Sequence, residues 1–303
     1  MMSKRVKFDY FKVYARSYDQ IRDVMEERLC NLDEVIRGAQ DIHVADRVFS
    51  AGNDRARLQD IQENNGKWEM HFIRIRKDNF PLRAHDNGDV SFFDDMDEAE
   101  GFGEEVSALF DPENCVIMVR RNMFSLPPSS IASFFTSLID EIGFTVLFKP
   151  LVHPSSMQLL KHDHLIRSAE ISIADVKNTS TETKRSLGQI LTRTESIKEP
   201  VNIQFKIGLA QKGSKKHSKV PIYEELRAIA NDPNANKVEV KLKENENKNV
   251  ETIDLIEHRL YDIHSFSKLD INRESRNILH ETVIQKMRLL YERRVDEINN
   301  VYE

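Results

Sequence analysis

At 303 residues the chain can bury a substantial core, and its length suits one large domain or two moderate ones. Charged residues make up 31% and hydrophobic ones 40%, with a mean hydropathy of -0.53. That balance describes a soluble folded protein, and no apolar run approaches the roughly 20 residues of a membrane helix. The net charge of -6 argues mildly against nucleic acid, and two distant cysteines, Cys30 and Cys115, point to neither a disulfide framework nor a zinc cluster. The N-terminus has no uninterrupted apolar core of a secretory signal, which points to the cytoplasm.

In chain order, Val6 to Tyr14 alternates imperfectly with strong β formers and predicts an edge or half-buried strand. Tyr18 to Ile42 has helical spacing, in two pieces with Asn31 capping the second. Arg55 to Ile61 and Trp68 to Arg76 flank Asn65-Gly66, a strong hairpin signal because both residues tolerate positive φ. Val90 to Phe93 suggests a short strand. An acidic hinge follows: nine Asp and Glu and no Lys or Arg from Asp94 to Glu113. Cys115 to Val119 then reads as a strand, Ser130 to Ile142 as a helix after Pro127-Pro128, and Thr145 to Phe148 as another strand. The stretch from Trp68 to Phe148 forms the α+β core around which the chain is organised.

Beyond a connection from Pro150 to His164, Leu165 to Val176 and Val201 to Leu209 predict strands, with a short amphipathic helix in Thr179 to Thr194 between them. Gln211 to Lys219 is too polar and glycine-broken to be other than an exposed loop. Pro221 opens a helix running to about Asn231. Val238 to Lys243 alternates cleanly, and Thr252 to Ile263 is its candidate hairpin partner. Arg273 to Tyr302 forms one long amphipathic helix that packs on its own sheet or serves as a dimer interface. The fold class is α+β, a mainly antiparallel mixed sheet with packed helices. Its expected parts are an N-terminal core at 1–155 and a C-terminal region with a basic loop and terminal helix at 156–303.

Four stretches carry candidate chemistry. Gly208 to Lys215 follows a strand and nearly spells a phosphate-binding loop, but Ser214 precedes Lys215, whereas that motif needs lysine and then a hydroxyl residue. Glu239 and Lys241, with Asp232 upstream, have the acidic-x-Lys order of metal-dependent nucleases. Alternating Glu and Lys is equally what the wet face of an antiparallel strand looks like. His162 and His164 share a side if extended, yet no third ligand is near. The strongest asymmetry is basic: ten Lys and Arg against three Glu from Val176 to Lys219. Within it, Lys212, Lys215, Lys216 and Lys219, joined by Lys184 and Arg185, can follow a sugar-phosphate backbone or simply solubilise a loop. Arg120 and Arg121 end a core strand and either line the same groove or pair with the acidic hinge. No common catalytic signature occurs, and neither a metal nor a cofactor is implied.

The order Glu100-Gly101-Phe102-Gly103, Val106 to Asp111, Val116 to Val119, Arg120-Arg121-Asn122 and the Ser129-Ser130 helix start resembles an uncharacterised bacterial family of about this length. More distantly it is similar to the phage lambda RexA exclusion proteins and the KwaB subunits of Kiwa antiphage defence. The likeness covers residues 60 to 210 best. It implies a cytoplasmic DNA-binding protein of phage exclusion that forms homo-oligomers, commonly beside a small membrane-protein partner. The expectation is therefore non-catalytic, largely sequence-independent DNA binding through phosphates, with a metal-dependent nuclease or a protein-interaction scaffold as alternatives.

Overall fold

A computed structural model of the chain describes residues 4–19, 24–52, 54–77, 80–93, 96–97, 100–122, 124–152, 165–173, 179, 183–185, 203–208, 222–232, 234–243, 249–256, 259–273 and 276–301. Its spine is β1, Lys4–Asp19, which is too rich in Val, Phe and Tyr to remain at an edge. On one side of β1 its residues pair first with β9, Val116–Arg121, and then with β2, Val24–Leu29. On the other side they pair first with β15, Tyr261–Phe266, and then with β10, Thr145–Pro150. The strand expected at an edge or half-buried is thus central, and both of its faces are apolar: Val6, Phe8 and Tyr10 fall on one, Phe11 and Val13 on the other.

From β9 the antiparallel sheet continues through β8, Phe102–Asp111, to β5, Lys67–Arg76, β4, Asp54–Asn64, and β3, Val48–Ala51. The predicted hairpin is β4 and β5, turned by Asn65 at φ 50° and Gly66 at φ 72°, the left-handed conformation that Asn and Gly accept most readily. Two expectations fail here. The first helical piece is instead β2, since its side-by-side pairing with β1 outweighs a weak helical spacing. The acidic hinge contains β8, whose Val106, Ala108 and Phe110 enter the core while Glu104 pairs with Arg76 at 3.6 Å.

Helices cover both faces of this sheet. α1, Asp33–Asp41, and α2, Pro128–Ile139, lie on the face of Trp68, Phe72 and Ile117. The N-cap of α1 is Leu32, without a side-chain cap bond, and the expected cap Asn31 lies one residue earlier, where its Oδ1 accepts from the Asp33 N–H at 2.9 Å as an Asx turn. α2 stops at Asp140, whose φ of 51° turns the chain before Ile142 can join the helix. α4, His280–Val301, covers the opposite face with Val283, Met287 and Tyr291, so the terminal helix packs on a sheet. It begins later than its apolar stripe suggested, after a bridge between Ile271 and Ile278.

The second sheet has the order β12, Ile203–Gly208; β11, Leu165–Ile173; β13, Ala235–Lys243; β14, Glu251–Asp254, all antiparallel. α3, Ile222–Ala230, seals one face with Leu226, Ile229 and Ala230. β14 supplies the hairpin partner of β13, but the chain then leaves and β15 returns to β1. Residues 261–273 and 276–301 therefore pack with the N-terminal sheet, although they follow the second sheet in sequence.

Candidate functional site

Strand periodicity sets the solvent face of the second sheet. On β13, Val238, Val240 and Leu242 point toward α3, which sends Lys237, Glu239, Lys241 and Lys243 the other way. On β11 the same alternation turns Ser168, Glu170 and Ser172 outward, and on β12 it does so for Gln204 and Lys206. Lys237 Nζ lies 2.6 Å from Glu170 Oε1 and 3.4 Å from Glu239 Oε2, while Gln204 Nε2 donates to Glu170 at 3.0 Å. The hydrogen bond from Lys237 holds the Glu170 carboxyl below its ordinary range, and the same bond raises the Lys237 ammonium. Lys241 and Lys243 make no ion pair among the described residues. Ser168 stands between Gly208 on one neighbour and Lys241 on the other, so these two lysines mark the end of the sheet at which β12 gives way to residues 209–221.

Of the other expected contacts, Lys212, Lys215, Lys216 and Lys219 lie outside the described residues, as do His162 and His164. Lys184 is half-buried and Arg185 exposed, within the helical residues 183–185. Arg120 is not on any groove: it is 1% exposed, and its guanidinium donates to the Ile278 carbonyl and to Asn277 Oδ1, both at 3.4 Å. Burial pushes its pKa down, and the charge of Glu105 in the acidic stretch opposes that shift without a direct ion pair to Arg120. Arg121, one position on, turns to the opposite face and sets Nε 3.0 Å from Asp9 Oδ2. The nuclease set is not gathered. Asp232 is 1% exposed on the α3 side and accepts from the Asn234 N–H at 2.9 Å, whereas Glu239 and Lys241 face solvent. Among the described residues no group of three His, Cys, Asp or Glu side chains is placed to hold a metal ion.

A family of unknown function, DUF6731, matches residues 1–299. The chain belongs to that family. No curated protein matches it. Among the described residues no helix is long and apolar enough to cross a membrane.

In this family member the footing of α4 on the first sheet is a second concentration of polar groups, and the sequence pattern alone did not reveal it. His71 of β5 stacks on His280 with ring centroids 4.3 Å apart and planes at 4°. His280 Nδ1 shares a 2.9 Å hydrogen bond with Ser107 Oγ. Glu69 takes a bidentate bond from Arg288 at 2.8 and 2.9 Å, and Asp111 accepts from the Tyr291 hydroxyl at 2.8 Å. Ser107 is wholly enclosed and His280 nearly so, so this Ser–His pair holds the helix in place and offers no nucleophile to a substrate. A signal was present: His71, Glu69, Ser107 and Asp111 all sit at the parity opposite to the core residues of their strands.

Proposed function

We propose that the protein binds nucleic acid through phosphates, largely without regard to sequence, using the solvent face of the second sheet together with the lysines of residues 209–221. The observation that carries this reading is the pair Lys241 and Lys243, without ion-pair partners among the described residues, at the sheet end adjoining that lysine-rich segment. Lysine ammonium groups follow a sugar-phosphate backbone as point charges, and each phosphate neutralised releases counterions. The resemblance of residues 60 to 210 to phage-exclusion proteins supports a role in antiphage defence. Arg120 and Arg121 have no part in this face.

The test is fluorescence anisotropy with unrelated duplexes across a salt series. Replacing Lys241 and Lys243 by Glu lowers affinity for every sequence alike and flattens the dependence of log K on log salt by about one for each phosphate no longer neutralised. The quadruple replacement of Lys212, Lys215, Lys216 and Lys219 by Glu flattens it further. Unchanged affinity and slope in both variants would refute the reading.

A further inference from the structure

The two sheets meet at a cleft of about 80 Å³ that the nucleic-acid face does not use. Lys7 and Asp9 enter it from β1, Arg121 from β9, Asn236 from the start of β13, and Arg259 from the chain between β14 and β15. Both oxygens of Asp9 are engaged: Lys7 Nζ lies 3.0 Å from its Oδ1 and Arg121 Nε 3.0 Å from its Oδ2. The lining therefore holds three cations to one carboxylate, each of whose oxygens already faces one of them. Arg259 gives its hydrogen bonds to neutral acceptors, the carbonyls of Ala230, Asp232 and Ala235 at 2.6, 2.8 and 3.1 Å. Its Nε is sealed and unpartnered, and burial pushes its pKa down to about 10; Asp9, Asp232 and Asp254 oppose that shift, while Arg121 repels the guanidinium and adds to it. An anion beside these groups would relieve that repulsion.

Donors remain at the mouth. Arg121 and Lys7 keep side chains 34% and 42% exposed, and the two terminal nitrogens of Arg121 have no partner among the described residues. The Asn236 amide, exposed at the same cleft, has none either. A planar guanidinium, an ammonium and an amide converging from three strands suit a tetrahedral oxyanion. A space of about 80 Å³ takes one such group or a few waters, and leaves no room for a base and sugar.

We propose that this cleft between the sheets binds a single phosphate group, free or at the end of a larger molecule, through Arg121, Lys7 and Asn236. Because the donors come from both sheets, the ligand braces one against the other, and occupancy raises the melting temperature.

The test uses the full chain, with inorganic phosphate and AMP followed by calorimetry and thermal melting, against sodium chloride at equal ionic strength. Saturable binding of phosphate, with a melting shift that chloride does not give, is expected; AMP binding as well places the source on a phosphomonoester, and phosphate alone places it on the free ion. Arg121→Gln weakens binding about tenfold or more, and Lys7→Gln, which leaves the arginine in place, weakens it less. The Lys241→Glu/Lys243→Glu variant keeps its phosphate binding, so failure here and failure of the nucleic-acid reading are separable. A chloride response equal to that of phosphate, or affinity unchanged in both Arg121→Gln and Lys7→Gln, overturns the proposal. Loss of phosphate binding only in the Lys241→Glu/Lys243→Glu variant overturns it too, by moving the ion to the other face.

Discussion

Acidification between pH 7 and pH 5 should loosen α4 from the first sheet through His71. Its imidazole is held down to about 4 from the ordinary 6.5, first by burial and next by the neighbouring His280 ring, with Glu105 pulling the other way. The His71 Nε2 atom is buried without a hydrogen-bond partner, and Glu105 Oε1 at 3.7 Å is too distant to serve as one. The unfolded chain therefore takes up a proton near pH 6.5 that the folded chain refuses until about pH 4. Stability is complete above the unfolded value and falls as the pH drops through that window. Between pH 7 and pH 5 this linkage amounts to about 2 kcal/mol from His71. His280, lowered chiefly by burial, adds in the same direction. The assay is urea unfolding followed by the fluorescence of Trp68, the single tryptophan, which is buried in the sheet that α4 covers. His71→Phe keeps a ring against His280 and removes the titration, so the stability lost between pH 7 and pH 5 should shrink by about 2 kcal/mol. Parallel pH profiles for the two proteins would refute the argument, as would a folded-state titration of His71 near its ordinary value.

The same fluorescence assay checks four further substitutions. Arg288→Ala strips both hydrogen bonds from Glu69, which is 4% exposed, and should cost about 2–3 kcal/mol; the partial exposure of Arg288 keeps this below the range for a fully enclosed pair. Adding Glu69→Gln to that variant recovers part of the loss. Gly101→Ala would place a Cβ 2.7 Å from the Arg76 carbonyl oxygen, so backbone must shift at about 1–3 kcal/mol. Gly66→Ala meets nothing within 4 Å and carries only the strain of φ 72°, about 1 kcal/mol, so Gly101→Ala should be the more damaging of the two.

Local pattern carried most of the elements because their causes are local. The β4–β5 hairpin was legible in Asn65-Gly66 and in the alternation of Trp68, Met70 and Phe72, and α2 in the spacing of Ile131, Phe134 and Phe135. β8 was hidden because its acidic outer half resembles a linker until one sees Arg74 across from Glu104 and Arg76 reaching the same carboxylate diagonally. β2 defeats a reading by spacing because helix and strand compete closely over six residues, and its ladder with β1, joined by Arg16 to Glu27 at 3.0 Å, decides between them. The return of residues 261–266 to β1 crosses the whole second sheet in sequence, and no local spacing records a pairing of that range.

The charged residues divide by the same logic, since the sign of a side chain says nothing of its direction. Parity supplies the direction once a strand is paired. Val116 and Met118 face α4, so Arg120 must follow them inward, and Arg121 must go to the side of Lys7 and Asp9. The adjacent arginines looked equivalent in sequence, yet one is enclosed against backbone and amide oxygens while the other keeps two terminal nitrogens at a cleft. On β13 the parity of Val238, Val240 and Leu242 already implied the wet row of Lys237, Glu239, Lys241 and Lys243. It could not imply that Glu170, on the neighbouring strand, would claim Lys237 and leave Lys241 and Lys243 without an ion pair among the described residues. A cation can serve a ligand only where it reaches solvent and the fold has not already taken all of its donors. By that criterion Arg120 drops out, and the cations that remain fall into two groups on different surfaces, Lys241 with Lys243 and Arg121 with Lys7, each answerable to its own experiment.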